Sequence, residues 1–143
     1  AGKGSKKEYF EKLVEANGLS KSVDFLGFVP DSELSDFYCS LDFFILPSND
    51  GTREGFGIVS LEALSYGIPL IVSDIIGVAG VVEERSAGLV FEAGNDKELA
   101  SVLQKASVLN EKERDRMSAS ARKLAEDFLV SKISADMMKL YER

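Results

Sequence analysis

The stretch Pro47–Asp74, PSNDGTREGFGIVSLEALSYGIPLIVSD, decides how this chain folds. Its carboxylates Glu54 and Glu62 stand eight positions apart, on either side of a Gly55-Phe56-Gly57 turn. That turn opens a helix predicted from about Gly57 to Tyr66. Before it lies the apolar run Phe43-Phe44-Ile45-Leu46, stopped by Pro47; after it lies Leu70-Ile71-Val72, opened by Pro69. Both runs are apolar at every position rather than alternating, which is the pattern of strands covered on both faces in a parallel sheet. The stretch therefore reads as the loop, helix and following strand of a strand–helix–strand unit.

Working outward, the same alternation continues. Ser5 to Ala16 reads as a helix, with Ser5 and Glu8 as a capping box and Phe10, Leu13 and Val14 on one face. Val23-Asp24-Phe25-Leu26 reads as a strand ended by Gly27. Asp31 can cap a helix that carries Leu34, Phe37, Tyr38 and Leu41 at helical spacing. Leu89-Val90-Phe91 is a further strand. The last third is helical. Asn95 with Glu98, and Asn110 with Glu113, are cap-and-reach pairs ahead of the faces Leu99/Val102/Leu103/Ala106 and Met117/Ala121/Leu124/Phe128. A final amphipathic segment carries Ile133, Met137 and Leu140. The expectation is an α/β domain of strand–helix units.

Composition narrows the chemistry. A chain of 143 residues suits one domain, and its net charge of −7 lacks the basic footprint of a nucleic-acid binder. With no histidine, these residues cannot supply a Ser-His-Asp triad or a histidine-ligated metal. The one cysteine, Cys39, excludes an internal disulfide, and its place beside Phe37 and Tyr38 on a predicted helix suggests a buried structural thiol. No apolar run here is long enough to span a bilayer.

In open α/β sheets ligands bind where loops leave the carboxyl ends of strands. The loop Ser48–Phe56 holds that position. The first-turn amides of Gly57, Ile58 and Val59 have no partner inside the helix and, with the helix dipole, form an anion site. Gly55 and Gly57 carry no Cβ and allow close approach of a ligand. Glu54 sits ahead of the anion site and Glu62 about 7 Å along the helix. Carboxylates beside phosphates must face hydroxyls, so the arrangement reads as a cradle for a nucleotide sugar, with the transferred sugar at one end and the ribose at the other.

The block Glu54-Gly-Phe-Gly-Ile-Val-Ser-Leu-Glu62, an E-x7-E pattern followed by Ala63-Leu64 and Gly67-Ile68-Pro69, resembles the donor site of family 4 glycosyltransferases, retaining enzymes of the GT-B fold. Val23-Asp24-Phe25-Leu26-Gly27-Phe28-Val29, the Asp42–Ser48 strand, Gly88-Leu89-Val90 and a terminal helix ending in Tyr141 agree with it in order. The resemblance implies a Rossmann-like parallel sheet flanked by helices, the C-terminal half of a GT-B fold. It makes Glu54 the catalytic-site acid that binds the transferred sugar and Glu62 the partner of the ribose hydroxyls. Gly55, Phe56, Gly57, Ile58 and Val59 would offer amides to sugar and diphosphate, and Phe28 and Val29 would lie near the base. It implies no metal and no cofactor beyond the nucleotide-diphosphate sugar, which is the donor substrate. The leaving phosphate is usually proposed to help deprotonate the acceptor, a scheme that tolerates the missing histidine.

Two departures qualify the match. Where the family often reads Gly-Gly-x-Pro-Glu after the strand at 70–73, this chain reads Ile76-Gly77-Val78-Ala79-Gly80, with glycine at the place of the expected acid. The resemblance also implies that the chain begins inside the second of the family's two domains. Residues 1–143 are therefore expected to be one donor-binding domain without its first strands, with the acceptor-binding domain absent. Strand edges left open would re-pair by direct closure or by self-association. The expected activity is retaining sugar transfer in the full-length protein, in polysaccharide or glycolipid biosynthesis, the fragment alone being inactive. The alternative is a non-catalytic nucleotide-sugar-binding or assembly module. The expected setting is cytoplasmic, peripheral to the membrane through the missing domain.

Overall fold

The computed structural model describes residues 1–50 and 55–141, with the backbone alone at 135, 136 and 140. It divides into two compact units, Ala1–Phe37 and Tyr38–Arg143.

The first unit carries α1 (Lys7–Ala16), a 3-10 turn (Asp31–Glu33) and the start of α2 (Leu34–Cys39). Its expected strand at 23–26 does not form: residues 23–30 run without a ladder, although the Gly2 amide bonds to the Gly27 carbonyl. A strand is a strand only beside a partner, and the described residues offer this segment none. The Ser5 capping box is absent too. Lys6 stands at the N-cap without a side-chain bond, and Glu8 instead takes the Lys12 ammonium at 2.9 Å.

The second unit is built on three parallel strands in the order β1 (Phe44–Leu46), β2 (Leu70–Ser73), β3 (Gly88–Phe91). Phe44 pairs with Leu70, and Leu70 with Gly88. Central β2 is buried along its whole length, as its uninterrupted apolar run requires. Each of its large apolar side chains contributes roughly 1.5–3 kcal/mol by leaving water. Alternation along the strands sends Ile71 and Phe91 to one face, where they pack with Ala106 of α5 (Asp96–Ser107). Phe44 projects to the other face and meets Tyr38 of α2, with ring centroids 6.0 Å apart. That face also receives α3 (Ile58–Ser65). The sheet is thus sandwiched between helices, as expected for a Rossmann-like unit.

Between β2 and β3 the chain forms a short helix, α4 (Ala79–Glu84), that the sequence pattern did not reveal. α5 is capped by Asn95, whose side chain accepts the Glu98 amide, and α6 (Glu111–Asp127) by a complete Asn110/Glu113 capping box. α7 (Val130–Tyr141) follows. α6 packs on α3, and Ser118 Oγ donates to the Gly67 carbonyl at 2.7 Å. The α2 helix stops at Cys39, short of Leu41, and has no Asp31 side-chain cap. Cys39 is exposed rather than buried: helix geometry turns its neighbour Tyr38 inward instead. Among the described residues neither β1 nor β3 gains a further strand on its outer edge.

Candidate functional site

The site is assembled at the carboxyl end of β1, where the chain turns into α3. Gly57 is the N-cap of α3 and has φ of +78°, a left-handed conformation that disfavours any residue with a Cβ. A Cβ at Gly57 would point into the protein, 3.1 Å from Ile76 Cγ2 and 3.2 Å from Leu46 Cδ2. Glycine is required here for the tightness of the turn, so close approach of a ligand is not the reason the structure supplies. Gly55 differs: its φ lies outside the left-handed range and a Cβ there meets nothing among the described residues. After Gly57 the Ile58 and Val59 amides open α3 with no acceptor inside the helix. Their side chains point outward.

A second loop holds this turn in place. The Gly77 amide, after β2, bonds to the Gly55 carbonyl at 3.0 Å, and a Cβ on Gly77 would lie 3.2 Å from Phe56 Cα. The Phe56 ring packs edge-on against Phe128 at the end of α6, with centroids 5.2 Å apart. Gly80, on α4, has open space where a side chain would stand.

Glu62 is the fifth residue of α3. Its Oε2 accepts a hydrogen bond from Tyr38 Oη at 2.8 Å. Tyr38 is only 4% exposed and stacks on Tyr66, with centroids 5.2 Å and planes 16° apart. Burial pushes the Tyr38 hydroxyl far above its ordinary pKa, and the bond to Glu62 pushes it the same way. Glu62 also borders an open groove of about 530 Å³, lined by Leu61, Ser65, Arg122 and Phe128 among others.

Gly55, Phe56, Gly57, Ile58, Val59 and Glu62 are therefore brought together around the start of α3. Glu54 lies outside the described residues. Phe28 and Val29 belong to the first unit, where the Lys3 ammonium stands 4.4 Å from the Phe28 ring centroid. Sequence reasoning missed Tyr38 and Gly77. A tyrosine at a core position needs a hydroxyl partner, which was a usable signal for the first. No group of three metal-ligating side chains occurs among the described residues. None of their helices is long and apolar enough to cross a membrane.

The sheet, the glycine turn and the acid on α3 form a strand–turn–helix site of the α/β type, and comparison with known proteins gives the chain a family. The family model for glycosyl transferases group 1 matches residues 1–124, so this chain belongs to that family. It is 35% identical over 100 residues to an uncharacterised glycosyltransferase of Methanocaldococcus jannaschii, covering 70% of this chain and 25% of the relative. It is 36% identical over 117 residues to the O-antigen chain mannosyltransferase B of Escherichia coli, covering 80% of this chain and 28% of that protein. The chain thus spans less than a third of the length of either relative. Among solved structures it superimposes on sucrose-phosphate synthase of Thermosynechococcus elongatus with a TM-score of 0.81 at 25% identity, over 97% of this chain and 34% of that one. The C-terminal domain of a group 1 glycosyl transferase from Francisella tularensis matches with a TM-score of 0.72 at 25% identity, over 85% of this chain and 61% of that one. HepE of Anabaena, solved with UDP and glucose, shares the fold with a TM-score of 0.79 at 22% identity, over 99% of this chain and 39% of that one. The fold is that of GT-B glycosyltransferases.

Proposed function

We propose that this chain supplies the nucleotide-sugar donor site of a retaining, metal-independent family 4 glycosyltransferase, as its C-terminal, donor-binding domain. The observation that carries this reading is the pairing of an amide-lined glycine turn with a carboxylate held one helical turn further on. Diphosphate oxygens would take the amides from Gly55 to Val59, and Glu62 the ribose diol. Glu54 would bind the hydroxyls of the transferred sugar, with Phe28 and Val29 beside the base. In the transfer, the bond from the anomeric carbon to the diphosphate breaks and one to the acceptor oxygen forms on the same face of the sugar. The departing phosphate takes the acceptor proton, so no histidine is needed.

The match to a C-terminal domain of a group 1 transferase supports the placement. The acceptor-binding domain would then be another part of the full protein, and this chain alone would transfer no sugar. Cytoplasmic work at a membrane surface would come through that other domain. A non-catalytic nucleotide-sugar module is the second reading, favoured by Gly80, which stands on α4 at the position where an acid was expected.

Titration calorimetry with nucleoside diphosphates and their sugars tests the site. Glu62→Ala is expected to weaken every nucleotide ligand, and Glu54→Ala only those that carry a sugar. Equal binding by the wild type and both variants would refute the assignment.

A further inference from the structure

We propose that Tyr38 is a positioning residue for Glu62: its hydroxyl holds the carboxylate in the one orientation that presents its remaining lone pairs to a vicinal diol. The inference rests on the donor-site reading and deepens it. Glu62 is on the exposed side of α3, where a glutamate left to itself samples many rotamers. Here Oε2 is fixed by the Tyr38 hydroxyl at 2.8 Å. Tyr38 itself has little freedom, being 4% exposed, stacked on Tyr66 and tilted against Phe44 of β1. Glu62 and Tyr66 are four residues apart and so share one face of the helical turn that closes α3, and Tyr38 touches both.

The chemistry of the carboxylate makes the arrangement useful. Two oxygens offer about four lone-pair sites; Tyr38 uses one, leaving all of Oε1 and one site on Oε2. Adjacent hydroxyls of a ribose can then bond to both oxygens at once. The donor is a neutral hydroxyl, so it brings no charge that would draw the carboxylate away from the ligand. A lysine or arginine in its place would compete with the diol as an ion pair. Pre-setting the rotamer removes an entropic cost that binding would otherwise carry.

A tyrosine that merely satisfied its hydroxyl at the edge of the core would have the same contact, so the test must separate the two. Calorimetry of the chain would use uridine, adenosine and guanosine diphosphates together with their 2′,3′-dideoxy counterparts. The wild type should bind the preferred ribonucleotide about tenfold more tightly than its dideoxy form, the worth of a charge-assisted hydrogen bond. Tyr38→Phe keeps the ring and its stacking. It should reduce that preference to roughly threefold or less while leaving dideoxy affinity within about twofold. Glu62→Gln should abolish the preference, and adding Tyr38→Phe to it should change nothing more.

If Tyr38→Phe weakens ribo and dideoxy ligands alike, or keeps the preference that Glu62→Gln loses, the positioning role fails while the donor-site reading stands. If the wild type shows no preference for the diol, or binds none of the nucleotides, the donor-site reading fails and the positioning role with it.

Discussion

Replacing Gly57 with alanine tests whether this glycine serves the fold or the ligand. The left-handed φ of +78° costs an alanine about 1–2 kcal/mol. The new Cβ would be pressed between Ile76 Cγ2 at 3.1 Å, Leu46 Cδ2 at 3.2 Å and Ser60 Oγ at 3.2 Å. Overfilling a packed site of this kind costs a further ~1–3 kcal/mol. The sum is about 2–5 kcal/mol; with a urea m-value of about 2 kcal/mol/M the unfolding midpoint should fall by about 1–2.5 M. Gly55→Ala is the control: its Cβ meets no described neighbour, and stability should change by less than about 0.5 kcal/mol. The assay is urea unfolding followed by circular dichroism, with m compared between variants. A Gly57→Ala midpoint within about 0.3 M of wild type, together with lost nucleotide binding, would refute the packing account and restore a ligand-approach role.

Gly88→Ala should be more damaging, because the new Cβ would fall on the Leu70 carbonyl of β2; a drop of at least about 3 kcal/mol, or failure to fold, is expected in the same urea assay. Tyr38 ionises less readily folded than unfolded, so its contribution to stability is complete below about pH 10 and lost as pH rises beyond it; the alkaline fall in urea midpoint should be smaller in Tyr38→Phe. Asp127, hydrogen-bonded to Lys132 and close to Arg85, is held below its ordinary pKa. Its contribution is present above the ordinary carboxylate range and lost as pH falls through the lowered value. NMR titration should show that low value moving up toward normal in 1 M salt, where the screening length is about 3 Å.

What could be read in the sequence was local. The runs ending at Leu46, Val72 and Phe91 carry their strand identity in uninterrupted apolar character, and all three strands form. The Asn95 and Asn110 caps act over three residues, and both are present. Where the outcome depends on a partner outside the motif itself, the same reasoning failed. Val23–Leu26 has the composition of a strand, but no neighbour completes a ladder among the described residues. Ser5 and Glu8 have the spacing of a capping box, but Lys12, one turn on, captures the glutamate. α4 is short and contains Gly80, so neither periodicity nor propensity announces it. At the site the acid on α3 and the glycine turn were legible, while the Tyr38–Glu62 bond joins residues 24 apart: a core tyrosine signals that its hydroxyl needs a partner, but not which one.

The backbone bond between Gly77 and Gly55 has a consequence for redesign. It ties the turn ahead of α3 to the loop that follows β2, so the two loops form one mechanical piece. If the segment at 76–80 tunes which sugar is accepted, its positions are not equally open to variation. Gly77 is crowded by Gly55 and Phe56, and a Cβ there would lie 3.1 Å from Phe56 Cδ2 and 3.2 Å from Phe56 Cα, so the amide turn would have to give way slightly. Gly80, three residues on, is exposed, and a Cβ there meets none of the described residues. A library intended to change donor preference should therefore hold Gly77 constant and randomise position 80.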